Sequence, residues 1–161
     1  MKKVDLDTFL EDDNIKIEVS YMDYRIYRDK SNGRLGVINI KTSELQYDAI
    51  FDRMIDDPRG GHLFLKQTNS NIWYVLTKHR GAVLIPEAKD LQRISHLRGS
   101  YYAFFVSCWG IVDADNGVCV VMTKYDSIEH NSSALHDLRI GGKRLAIFDD
   151  KSGELFTLKD H

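Results

Sequence analysis

A period of about 36 residues runs through this chain, and a chain repeating on that scale has few architectures open to it. Apolar anchors at Leu35, Trp73, Trp109 and Leu145 stand 38, 36 and 36 residues apart. Two residues after each anchor comes a β-branched side chain: Val37, Val75, Ile111 and Ile147. Eight after it comes a turn position, Ser43, Gly81, Gly117 and Gly153, and ten after it Leu45, Val83, Cys119 and Leu155. The residue directly following the anchor is Gly36, Tyr74, Gly110 and Ala146, small in three of the four copies. A unit this short buries its apolar face by stacking on neighbouring units.

Each unit reads as a meander. Residues 24–27, 62–65, 101–106 and 135–140 form a strand ahead of the anchor strand, and residues 83–85, 118–122 and 155–158 form one after the Gly turn. Tyr47-Asp48-Ala49-Ile50 and Tyr125-Asp126-Ser127-Ile128 read as equivalent fourth elements, with Leu91-Gln92-Arg93-Ile94 in the corresponding place. Ser132-Ser133-Ala134-Leu135 reads either as part of this pattern or as one helical turn. The anchor strands are apolar on both faces: Trp109 and Ile111 point one way, Cys108 and Val112 the other. The expected fold is all-β, one domain over residues 1–161. It comprises four tandem antiparallel β-meander repeats of about 36 residues over 24–161, in a propeller-like or barrel-like stack. A small residue after the anchor is expected to let adjacent sheets approach closely. Residues 1–23 form an N-terminal arm and a closing strand. Leu6, Phe9 and Leu10 make either one short helical face capped by Asp5 or Asp7, or an irregular acidic arm. Ile15-Lys16-Ile17-Glu18-Val19 alternates as a half-buried strand and is expected to complete the last unit, which runs out at His161 without a Tyr-Asp element.

The third copy, Trp109-Gly110-Ile111-Val112-Asp113 with Gly117 and Tyr125-Asp126-Ser127-Ile128, resembles a bacterial WG (KWG) repeat. The second copy keeps Trp73, Gly81 and Pro86, the first Gly36 and Tyr47-Asp48-Ala49-Ile50, the fourth Gly153 and the apolar pattern. The resemblance implies a repeat β-architecture with a binding or scaffolding role, and carries over no catalytic residue.

A net charge of −2, from 22 basic and 24 acidic residues, lacks the field that draws nucleic acid. No apolar run is long enough to span a bilayer, and Val4-Asp5-Leu6-Asp7 interrupts any signal-peptide core, so a cytoplasmic address is expected. If Asn116-Gly117 is the hairpin turn, Cys108 faces Tyr125 and Cys119 faces Ala114, too far apart for a disulfide. Two buried free thiols in a reducing compartment are expected.

Candidate chemistry is sparse. Asp113-Ala114-Asp115-Asn116-Gly117 resembles the start of a calcium loop, but the positions that need Gly and Glu hold Val118 and Lys124, so a hairpin turn is expected. His62, His79, His96, His130, His136 and His161 show no metal-ligand spacing; His130 and His136 with Cys119 form the one zinc set that folding would have to assemble. Cys108 lies in an apolar strand, where a thiol is ordinarily inert. Arg59-Gly60-Gly61 and Arg98-Gly99-Ser100 occupy matching places, as sharp entries to a strand or as backbone anion nests. No catalytic residue, metal or cofactor is assigned. Partner-binding candidates are the acidic Glu11, Asp12, Asp13, Asp56 and Asp57 and outward-facing Tyr101 and Tyr102. The expectation is a non-enzymatic protein-binding module, in a specific form a toxin-neutralising immunity or inhibitor protein with a cationic partner. The alternative is a small-ligand or anion-binding receptor. A hydrolase using Cys108 comes third.

Overall fold

The computed structural model describes residues 2–57 and 59–158, so His161 lies outside the described residues. The arm forms a short strand, β1 (Lys2–Lys3), and one helix, α1 (Leu6–Glu11). Asp5 caps the helix by accepting the Thr8 amide at 3.2 Å. Six residues have little helical stability alone. Docking holds them: Val4, Leu6 and Phe9 pack over Tyr27, Ile38, Leu45 and Ala49, with the Phe9 and Tyr27 rings edge-on at 4.9 Å.

The strands then follow in order. The first seven are β2 (Ile15–Tyr21), β3 (Tyr24–Asp29), β4 (Arg34–Asn39), β5 (Glu44–Asp57), β6 (His62–Gln67), β7 (Trp73–Thr77) and β8 (Gly81–Ile85). A single 3-10 turn, Pro86–Ala88, leads to β9 (Arg93–Arg98), β10 (Tyr101–Phe105), β11 (Trp109–Asp113) and β12 (Val118–Tyr125). The last four are β13 (Ser127–Ser132), β14 (Leu135–Ile140), β15 (Lys143–Asp149) and β16 (Glu154–Thr157). Strands β2 to β8 form one sheet in chain order, with β1 added on β5; β12-β11-β10-β9 form a second and β13-β14-β15-β16 a third. The chain is all-β with antiparallel sheets, and among the described residues none closes into a barrel.

The expected closing strand is not made. Strand β2 pairs along its length with β3, from Ile15 opposite Asp29 to Tyr21 opposite Tyr24, and β16 pairs with β15. A two-residue turn at Met22-Asp23 makes the local pairing cheap in chain entropy, whereas closure would join distant ends. Residues 132–135 make no helical turn; Ser133 and Ala134 link β13 to β14.

The anchors Leu35, Trp73, Trp109 and Leu145 fall on β4, β7, β11 and β15. All four turn positions have left-handed backbone, Ser43 at φ 59°, Gly81 at 71°, Gly117 at 74° and Gly153 at 76°, which explains why three are glycine. The Asp113 loop is wider than an Asn-Gly turn. The Gly117 amide bonds the Asp113 carbonyl at 2.8 Å, and Asp113 Oδ1 accepts the Asp115 amide at 2.9 Å. The same five-residue device recurs at Asp29 to Gly33, Asp57 to Gly61 and Asp149 to Gly153, so the acidic residue serves the turn. The wider loop puts Cys119 opposite Val112, not Ala114, and both cysteines are free and half-buried.

Two further expectations change. Phe51 lies opposite Leu35 as Tyr125 lies opposite Trp109, so the counterpart of Tyr125-Asp126-Ser127-Ile128 is Phe51-Asp52-Arg53-Met54, not Tyr47-Asp48-Ala49-Ile50. The spacing agrees: Phe51 lies 16 residues after Leu35 as Tyr125 lies 16 after Trp109, whereas Tyr47 lies only 12 after Leu35. The glycine after the anchor serves its own sheet: the Tyr27 ring fills the space beside Gly36, and the bulged β12 backbone and Thr123 fill that beside Gly110. Close approach between copies comes from the turn glycines. Gly81 abuts Gln46, Gly117 abuts Val83, and Gly153 abuts Tyr101, each from the preceding copy.

The core follows chain order. Phe51, Leu63, Leu65 and Leu76 fill the cluster among β3 to β8. Trp73 and Val75 meet Tyr102, Phe104 and Val112 in the next. Ile111, Val121 and Tyr125 meet Leu138, Ala146 and Phe148 in the last.

Candidate functional site

Strand β9, Arg93-Ile94-Ser95-His96-Leu97-Arg98, is the edge of its sheet and lies between two cores. Ile94 packs into the cluster around Trp73, and Leu97 into the cluster around Phe148. Ser95, His96 and Leu97 line a cavity on either side, one of about 540 Å³ toward β5 and one of about 420 Å³ toward β13 and β14.

The larger cavity is organised by Asp57 and Tyr102. Burial disfavours the Asp57 carboxylate, but the Arg59 amide, the Tyr102 hydroxyl and the Gly60 amide, with His96 nearby, outweigh it and hold the carboxyl below its usual range. Burial and the Asp57 carboxylate together push the Tyr102 phenol well above its ordinary value. His62 bridges the Tyr102 hydroxyl (Nδ1, 3.0 Å) and the Asp115 carboxylate (Nε2, 3.2 Å). Gly60 is required by contact, since the Tyr102 hydroxyl and His96 leave no room for a Cβ. The Arg59-Gly60-Gly61 amides therefore face the chain's own Asp57, which fills the nest that the sequence offered to an external anion.

The smaller cavity has one aromatic wall, Trp109, which is half-buried and tilted against Phe105 at 5.3 Å. Leu97, Ala103 and Ile128 make its apolar lining. At its polar end His136 Nε2 donates to Asp150 Oδ2 at 2.6 Å, both side chains buried, while Asp150 Oδ1 has no hydrogen-bond partner among the described residues. His96 and His130 repeat one device: each donates through Nε2 to the carbonyl three residues on, Gly99 at 2.8 Å and Ser133 at 2.7 Å. Both carbonyl residues are left-handed, at φ 59° and 46°. Ser95, Ser133 and Arg98 complete the lining.

The sequence candidates separate accordingly. Asp56 and Asp57 line the larger cavity, Asp56 exposed. Tyr102 is 0% exposed, so it is not the outward interface residue expected, while Tyr101 is half-buried with one side against Phe148 and Gly153. Strand alternation leaves about half of the run outward, but the Tyr102 ring is covered by His62, Phe64 and His96. Glu11, Asp12 and Asp13 are exposed at the end of α1 and in the turn after it and line neither cavity. His130 and His136 do converge, as cross-strand partners with rings 5.3 Å apart. Cys119 instead packs in the cluster around Trp73, where burial lifts its thiol to about 11. Among the described residues no three His, Cys, Asp or Glu side chains form a metal-holding group.

Sequence reasoning missed Asp150, Ser95, Ser133 and Ile128 as cavity residues. Only Asp150 left a signal: Asp149 alone supplies the turn carboxylate, so the second acid of the pair is surplus to the loop. No protein-family model and no curated protein matches the sequence. No helix of the described residues is long and apolar enough to cross a membrane.

Proposed function

We propose that this chain is a cytoplasmic, non-enzymatic protein-binding module, an open array of four WG-like β-meander repeats that holds a partner along β9. The observation that carries the reading is the placement of β9, an edge strand with a cavity on each of its faces. An edge strand offers unpaired backbone groups to an added strand, and flanking cavities give alternate side chains of that strand somewhere to go. The exposed Asp56 on the larger cavity suits a basic partner, and the specific form of the reading is an immunity or inhibitor protein that neutralises a cationic toxin. The sequential core clusters and the turn glycines resting on the preceding copy support the open array.

The test is isolation of a stoichiometric complex from the host, followed by Asp56→Lys. Charge reversal at this exposed position is expected to abolish the complex without altering the melting temperature. A host extract that yields no stoichiometric partner, with no toxin encoded beside the gene, would sink the immunity reading.

A second reading, a small-ligand receptor, is favoured by the cavity of about 420 Å³, which is ligand-sized and combines an aromatic wall with a few polar groups. A melting temperature raised by a metabolite in the absence of any protein partner supports this reading over the first.

A further inference from the structure

Resting on the second reading, we propose that the cavity between β9 and β14 is a site for a small planar aromatic anion, its ring against Trp109 and its charge on Arg98. The lining has few polar groups left to offer a ligand. Its single carboxylate, Asp150, gives Oδ2 to His136 at 2.6 Å, and its unpartnered Oδ1 is buried within the fold rather than open to solvent. His96 and His130 spend their Nε2 protons on the Gly99 and Ser133 carbonyls. The remaining groups that a ligand can reach can all donate: the exposed Arg98 guanidinium, the exposed Ser95 and Ser133 hydroxyls and the Trp109 indole N–H make no hydrogen bond or ion pair among the described residues. A cavity with spare donors and one uncompensated cation selects an acceptor-rich, negatively charged ligand. The other wall sets the shape. Trp109 is half-buried where Trp73, at the same repeat position, is 2% exposed. With Leu97, Ala103 and Ile128 it gives the cavity an apolar, aromatic side on which a planar ring can stack.

The chain has two tryptophans, so two indole N–H resonances report on two environments, and Trp109→Phe identifies the one in the cavity. The protein is titrated with naphthalene-2-carboxylate, naphthalene-2-methanol, 2-naphthylmethylamine and inorganic phosphate. The carboxylate is expected to shift the Trp109 signal to saturation and leave Trp73 in place, with the alcohol about tenfold weaker. The amine and phosphate are expected to produce no saturating shift. Arg98→Gln is expected to bring the carboxylate down to the affinity of the alcohol while the alcohol is unchanged, a split that a general loosening of the fold would not produce. The amine or phosphate binding as tightly as the carboxylate, or Arg98→Gln without effect, overturns the ligand class and leaves a small-ligand site standing. No probe moving the Trp109 signal at about 10 mM overturns both the proposal and the reading beneath it.

Discussion

Trp73 and Trp109 start β7 and β11 and differ in what covers them. Trp73 lies inside the cluster shared by β6 to β8 with β10 and β11, and the Arg53 guanidinium sits over its ring at 5.7 Å. Trp109 turns one face to the cavity beside β9. Truncation should therefore separate them: Trp73→Ala is expected to cost about 3–5 kcal/mol and Trp109→Ala about half as much, measured by urea unfolding. Equal losses would mean that the cavity beside Trp109 is closed in solution. Asp57 makes a second residue-scale prediction. Its carboxyl is held below the usual range in the folded state, so its stabilisation is present above the unfolded value of about 3.9 and is lost as pH falls through the lower folded value. Asp57→Asn is expected to destabilise by about 1 kcal/mol at neutral pH, and the gap to the native protein should close below about pH 4. A gap that stays constant with pH would remove the carboxylate from the account. Asp29 and Asp149 are lowered too, the first by the Ser31 hydroxyl and amide and the second mainly by the Lys151 amide, so acid should weaken several copies of the loop together.

At the scale of the element, the Asp-to-Gly loop carries the pattern. It sets a left-handed residue ahead of the strand that follows, and its carboxylate satisfies an amide inside the turn. Ser43 is the exception that tests the rule, a side chain held at φ 59° where three copies have glycine. Ser43→Gly is expected to stabilise by about 0.5–1 kcal/mol, and Gly153→Ala to cost at least about 1–2 kcal/mol because a Cβ there is both strained and against Tyr101. Thermal unfolding of the two variants reads the signs directly; a destabilised Ser43→Gly would mean the hydroxyl matters more than the backbone. The loops were legible in the sequence because glycine and aspartate mark them. The bulges of the β4–β5 and β11–β12 ladders were not, because a register step depends on how two strands fit and leaves no residue type behind.

For the whole molecule, the proposed open array of repeats predicts where stability resides. Stacked units contact only their neighbours, so damage at one end should stay near that end. Deleting residues 2–13 uncovers Tyr27, Ile38, Leu45 and Ala49. Hydrogen exchange is expected to rise in β3 to β5 and to change little in β14 to β16, whereas a uniform rise would indicate a closed ring. The sequence carries the period, the meander, the strand positions and the turns, because each is a local matter of apolar alternation and backbone conformation. It also supplied Asp56, Asp57, His130 and His136 as residues to watch, without saying which would meet. The packing of the folded chain pairs β2 with β3, buries Tyr102 and lets Asp57 fill the Arg59-Gly60-Gly61 nest. It alone brought Trp109, Arg98, His136 and Asp150 around one cavity. Those outcomes depend on how sheets pack across the chain, and a contact between distant residues is fixed by the shape of both surfaces rather than by the composition of either.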